Sequence, residues 1–75
     1  MLNNNIDPEA KLTAREREVA KLATRGLSNR AIAHELELCE GTVKLHFHHI
    51  FQKLSIRNRS ALIIALSRGA TSKAS

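Results

Sequence analysis

The stretch from Cys39 to His49, Cys-Glu-Gly-Thr-Val-Lys-Leu-His-Phe-His-His, concentrates the side chains of this 75-residue sequence that could do chemistry. Three chemistries compete for it. Histidine and cysteine are zinc ligands, and His46 with His49 share a helix face at i, i+3, with Cys39 and His34 as further candidates. None of the paired Cys/His spacings of zinc sites is present, so no metal and no cofactor are expected. A Cys-His nucleophile is weaker still. No acid follows Gly41 to orient the imidazole, and only Glu40 or earlier carboxylates could do so in three dimensions. The third chemistry is hydrogen bonding to base edges. Lys44 suits guanine O6 or N7, Leu45 can meet a thymine methyl group, and His48 and Gln52 add polar groups.

The third chemistry requires one helix to hold these groups on one side. At about 100° per residue, Lys44, Leu45, His48 and Gln52 share one arc, while Val43, Phe47, Ile50 and Leu54 fall on the opposite one. The helix thus has a core face and a donor face. Gly41, near its N-terminus, lets a phosphate come close to the free N–H groups there. His46 falls at the edge of the apolar arc, and Cys39 reads as a small half-buried residue in the preceding turn.

The elements that must position this helix are legible from caps and periodicity. Thr13 with Glu16 three residues on is a capping box, and Val19, Leu22 and Ala23 continue at helical spacing until Gly26, which predicts a helix over 14–25. Glu16 and Glu18, interspersed with arginines, read as part of its solvated face. Ser28 is an N-cap for a short helix with Ile32, Ala33 and Leu36 inward, ending near Glu37. The long run over 40–54 follows. After Ser55-Ile56-Arg57-Asn58, a fourth helix is expected from Arg59 to about Arg68. Leu62 and Leu66 suit its core side, whereas Ile63 and Ile64 cannot both face inward; either the helix is wholly buried or this side meets a second copy. The dimer is the favoured reading. Residues 1–11 and 70–75 read as flexible tails around one domain at 12–69. The fold class is all-α, a compact four-helix bundle containing a helix-turn-helix.

Composition narrows the function. The length allows one small domain, and an enzyme cleft is not expected. One cysteine cannot form an internal disulfide, and no apolar run reaches the ~18 residues of a membrane span, so the expectation is a soluble, cytoplasmic protein with no membrane partner. The net charge of +5 is unevenly placed: residues 1–40 carry a balance of −1, and residues 41–75 hold six basic side chains and no acid. A polyanion fits that half. With two aromatic residues, Phe47 and Phe51, base stacking has few candidates, so duplex DNA fits better than single strands.

The run Thr13-Ala14-Arg15-Glu16-Arg17-Glu18-Val19, then Gly26-Leu27-Ser28-Asn29-Arg30 with Ile32-Ala33, then Glu40-Gly41-Thr42-Val43-Lys44, His46, Ile50-Phe51 and Lys53-Leu54, resembles the DNA-binding domain of LuxR/FixJ (GerE-like) transcriptional regulators. The likeness covers about residues 12–68. It implies a response-regulator or quorum-type output domain whose third helix reads the major groove and whose fourth dimerises. Carried over by position, base contacts fall on Lys44, Leu45 and His48, and backbone contacts on Ser28, Asn29, Arg30, Thr42 and Arg59. Ile63 and Ile64 would form the dimer interface. The implied partners are a pseudo-palindromic duplex and a second copy, whose pairing can be weak without DNA, with RNA polymerase as a further candidate. The sequence departs from the family in Cys39, where Ser is usual as helix cap, in Ala31, and in His48. Two other readings share parts of the pattern: a sigma-factor-like promoter reader, and a protein-interaction module with an incidental basic face.

Overall fold

Three of the four α-helices start on a side-chain cap that the sequence supplies. Thr13 Oγ1 accepts from the Glu16 N–H at 3.1 Å and Glu16 Oε1 accepts from the Thr13 N–H at 3.0 Å, closing the expected capping box. Ser28 Oγ accepts from Ala31 N–H at 3.1 Å, and Asn58 Oδ1 from Ala61 N–H at 2.9 Å. The computed structural model describes residues 8–74: a 3₁₀ turn at Pro8–Lys11, then α1 (Ala14–Thr24), α2 (Asn29–Leu36), α3 (Glu40–Leu54) and α4 (Arg59–Ala74). No strand occurs among the described residues. The all-α, four-helix expectation holds, with Arg25 and Glu37 acting as caps just beyond the helices they were expected to end.

Cys39 is the exception among the caps. Its side chain makes no capping bond, and the first turn of α3 closes only through its carbonyl, which accepts from Thr42 N–H at 3.0 Å and Val43 N–H at 3.1 Å. It was expected half-buried and is exposed. The backbone there is extended, so successive side chains alternate, and Leu38 takes the inward place.

Three helices end in the same way. Gly26 (φ 87°), Glu37 (φ 58°) and Ser55 (φ 56°) are left-handed. The residue after each returns its N–H to a carbonyl five positions back: Leu27 to Leu22, Leu38 to Ala33 and Ile56 to Phe51. Leu27, Leu38 and Ile56 then pack on the core. This is the Schellman closure with its apolar lock, and only the first instance uses glycine.

α3 packs on α1 and α2, and α4 on α1 and the 3₁₀ turn. The shared core is Leu12, Val19, Ala20, Leu22, Ala23, Ile32, Ala33, Val43, Phe47, Ile50 and Leu62. Full burial of a branched side chain such as Ile32 or Ile50 contributes about 1.5–3 kcal/mol.

Both ends differ from the sequence reading. The tail expected over 1–11 lies, for residues 1–7, outside the described residues, whereas Pro8–Lys11 form the 3₁₀ turn. α4 runs to Ala74 rather than stopping near Arg68, taking in most of the tail expected over 70–75. One interior glycine, Gly69, weakens a helix by only about 1 kcal/mol, and Ala70 and Ala74 favour its continuation.

The caps generate a prediction. Cys39→Ser supplies the missing acceptor and Ser55→Gly removes a left-handed penalty. Each should raise unfolding stability by about 0.5–1 kcal/mol, read as a higher urea midpoint at unchanged slope.

Candidate nucleic-acid interface

α3 divides as its periodicity requires. Val43, Phe47 and Ile50 are buried and Leu54 is half-buried, while Gly41, Lys44, Leu45, His48 and Gln52 are exposed on the other side. Leu45 is 52% exposed, a large apolar side chain held in solvent between two polar ones. Thr42 is half-buried in the first turn of α3. At the start of α2, Ser28 and Arg30 are exposed and Asn29 is half-buried. The backbone-contact candidates of α2 and the base-contact candidates of α3 therefore sit on consecutive helices joined by the three-residue turn Glu37–Cys39. On α4, Ile63 is half-buried and Ile64 is 56% exposed, so the helix is not wholly buried.

Two polar ties that sequence reasoning missed hold α3 in place. Glu16, read as part of a solvated face, is 4% exposed. Its Oε1 accepts from Lys53 Nζ at 2.6 Å as well as from the Thr13 N–H, and His49 Nδ1 stands 4.0 Å from Oε2. The reason for the burial is the capping box itself, which folds the carboxylate back over the end of α1 where α3 packs. Burial pushes the Glu16 carboxyl upward. The Lys53 hydrogen bond, the Thr13 backbone bond and the Lys53 charge together outweigh it, and the group ends below the ordinary carboxylate value.

The second tie is Arg59, at the first position of α4. Nη1 donates to Asn29 Oδ1 at 2.9 Å and Nη2 donates to the Leu27 carbonyl. The guanidinium carbon lies 4.8 Å from the centroid of the Phe47 ring. Phe47 in turn meets Phe51, centroids 5.8 Å apart. A hollow of about 410 Å³ opens beside this group, bordered by Lys44, His48, Arg57 and Asn58. Arg57 is exposed there, a cation that sequence reading did not single out. Its signal was available: it lies in the interruption between two helices, next to the asparagine that caps the second.

The histidines do not converge. His48 and His49 have ring centroids 5.9 Å apart and tilted, and His46 is half-buried. Among the described residues, no group of three His, Cys, Asp or Glu side chains is placed to hold a metal ion. Nor is any helix among them long and apolar enough to cross a membrane.

A short helix, a tight turn and a longer helix presenting a basic outward face constitute a helix-turn-helix domain. The chain belongs to the family described as bacterial regulatory proteins, luxR family, whose pattern matches residues 10–66. It is 40% identical over 65 residues to the two-component response regulator PprB of Pseudomonas aeruginosa, covering 87% of this chain and 24% of that protein. It is 44% identical over 48 residues to the nitrate/nitrite response regulator NarL of Escherichia coli K12, covering 64% of this chain and 22% of that protein. The chain thus spans about a quarter of these relatives. Among solved structures it is similar to the response regulator StyR, with a TM-score of 0.76 and 43% identity over 81% of this chain and 31% of that one. The family is one of transcriptional regulators rather than of enzymes.

The lowered Glu16 carboxyl fixes a pH dependence. Its folded pKa lies below the ordinary value of 4.5, so its contribution is present above that pH and is lost as pH falls through the lowered folded value. Glu16→Gln should cost about 1–3 kcal/mol at neutral pH, because the buried cap loses its charge and Lys53 its partner. As pH falls below the ordinary carboxylate value, the gap between variant and parent in denaturant unfolding should shrink.

Proposed function

We propose that this domain binds double-stranded DNA sequence-specifically and performs no chemistry, with residues 12–69 as the binding unit. The observation that carries the reading is the division of α3: one face is locked into the core, and the other holds Lys44, Leu45 and His48 in solvent. In this reading α3 enters the major groove, Lys44 donates to guanine, Leu45 meets a thymine methyl group, and His48 supplies a further polar contact. Ser28, Asn29, Arg30 and Thr42 sit where the turn and the helix N-termini approach the phosphates.

Two copies joined through Ile63 and Ile64 would place two recognition helices on a pseudo-palindromic site. Support comes from the 56% exposure of Ile64, a large apolar group left without cover on α4. A regulator that reads bacterial DNA in this way would work in the cytoplasm.

A duplex selected from a random pool by the chain itself, compared with an unselected duplex, tests the reading. Lys44→Ala should lose about 1–3 kcal/mol on the selected duplex and relax preference at one base pair, whereas Arg30→Ala should weaken both duplexes alike. Affinity should fall with salt at a slope of about −0.9 per phosphate neutralised. Equal losses on both duplexes for Lys44→Ala would remove its base-reading role, and a flat salt response would point to a protein-interaction module instead.

A further inference from the structure

We infer that Arg59 is a positioning residue for DNA reading and not a phosphate contact: its guanidinium fixes the start of α2 against the inner face of α3. The inference rests on the DNA-binding reading above for its functional consequence, though not for the structural link itself.

Arg59 stands where a cation does its own helix no good. The first turn of a helix carries the positive end of the dipole, so an arginine at the first position of α4 is repelled by it. The group is occupied elsewhere. Its two terminal nitrogens take acceptors from the segment that opens α2, the Leu27 carbonyl and Asn29 Oδ1, and its central carbon lies over the ring of Phe47 of α3. Leu27 is the residue that locks the end of α1, so its carbonyl is already fixed in space. Phe47 is 5% exposed, directly precedes His48, and follows Lys44 by three positions on α3. One planar group therefore touches both halves of the proposed interface, the backbone-contact half at Asn29 and the base-contact half through Phe47.

The link demands arginine. A planar fork reaches two acceptors at once and still offers its face to an aromatic ring, whereas a lysine ammonium is a point charge that can replace one of these contacts. The two kinds of DNA contact also differ in what they tolerate. Phosphate attraction is diffuse and survives a small shift of one helix against another, while bidentate or directional bonds to base edges do not. Loosening Arg59 should therefore damage sequence discrimination before it damages general affinity.

The test uses the 75-residue chain with Arg59→Lys and Arg59→Ala, each at a temperature where circular dichroism shows it folded, titrated against a pool-selected duplex and an unselected one. For a positioning role, Arg59→Lys, with its charge intact, should lose about tenfold or more on the selected duplex and less than about twofold on the unselected one. Full rescue by lysine, or equal losses on both duplexes for either variant, overturns the inference, since these are the marks of a phosphate contact or of simple destabilisation. Should Arg59→Ala not fold, Arg59→Lys carries the comparison. A second readout needs no DNA. Backbone residual dipolar couplings report the angle between α2 and α3, and an unchanged angle in Arg59→Lys overturns the link. If the parent chain binds neither duplex, the DNA-binding reading fails while the couplings still decide the role of Arg59.

Discussion

The structure depends on one helix serving two purposes. α3 contributes Val43, Phe47 and Ile50 to the core, and burial of that face dictates where the opposite face points. Apolar packing alone leaves such a helix some freedom to slide and roll, because aliphatic contacts are non-directional. The polar ties remove that freedom at two places. Lys53, in the last turn, is held by Glu16 at the start of α1, and Phe47, at mid-helix, lies under the Arg59 guanidinium that also grips Leu27 and Asn29. Direction comes from hydrogen bonds and adhesion from the core.

Small size explains why the turns are so economical. A domain of this length buries a modest fraction of its surface, so little free energy is available to hold long loops. Three successive Schellman closures answer that constraint, since each reverses the chain within a few residues and returns an apolar side chain, Leu27, Leu38 or Ile56, to the core at once. Placing Glu37 and Ser55 rather than glycine at two left-handed positions weakens the closures without changing their geometry. An exposed, uncapped Cys39 weakens the start of α3 in the same manner. The helix that bears the proposed reading face is thus the one whose two ends are least well secured by local chemistry, and it relies on its tertiary ties accordingly.

Which features could be read from the sequence follows from their range. The helix starts at Thr13 and Ser28, the apolar and donor arcs of α3, and the inward Leu62 depend on residues within about two helical turns, where spacing determines the outcome. Glu16 shows the limit. Its capping box was legible because Thr13 is three residues away, and its burial was not, because Lys53 is 37 residues away. The Arg59 contacts at 30 and 32 residues' separation were hidden for the same reason. The one local hint was an arginine at the wrong end of a helix dipole. The end of α4 was misjudged for another cause: glycine marks a helix stop only when the chain turns there, as at Gly26.

Placement of the charges separates attraction from recognition. Of the basic side chains after residue 40 that the structure describes, Lys53 is neutralised by Glu16, while Arg59 has only uncharged acceptors in Asn29 and Leu27. An arginine satisfied by neutral groups carries a positive charge that no anionic partner offsets. Arg59 therefore adds to the positive field beside Lys44 and Arg57 even though its hydrogen-bonding directions point inward. A field acts over roughly a Debye length, about 8 Å at physiological salt, and needs no contact to draw a polyanion to this side of the domain. Lys44, Leu45 and His48 remain exposed for directional contact. The same guanidinium can thus attract the duplex through its charge and hold the reading helix through its shape, which a tie made by an ion pair such as Glu16 with Lys53 could not do.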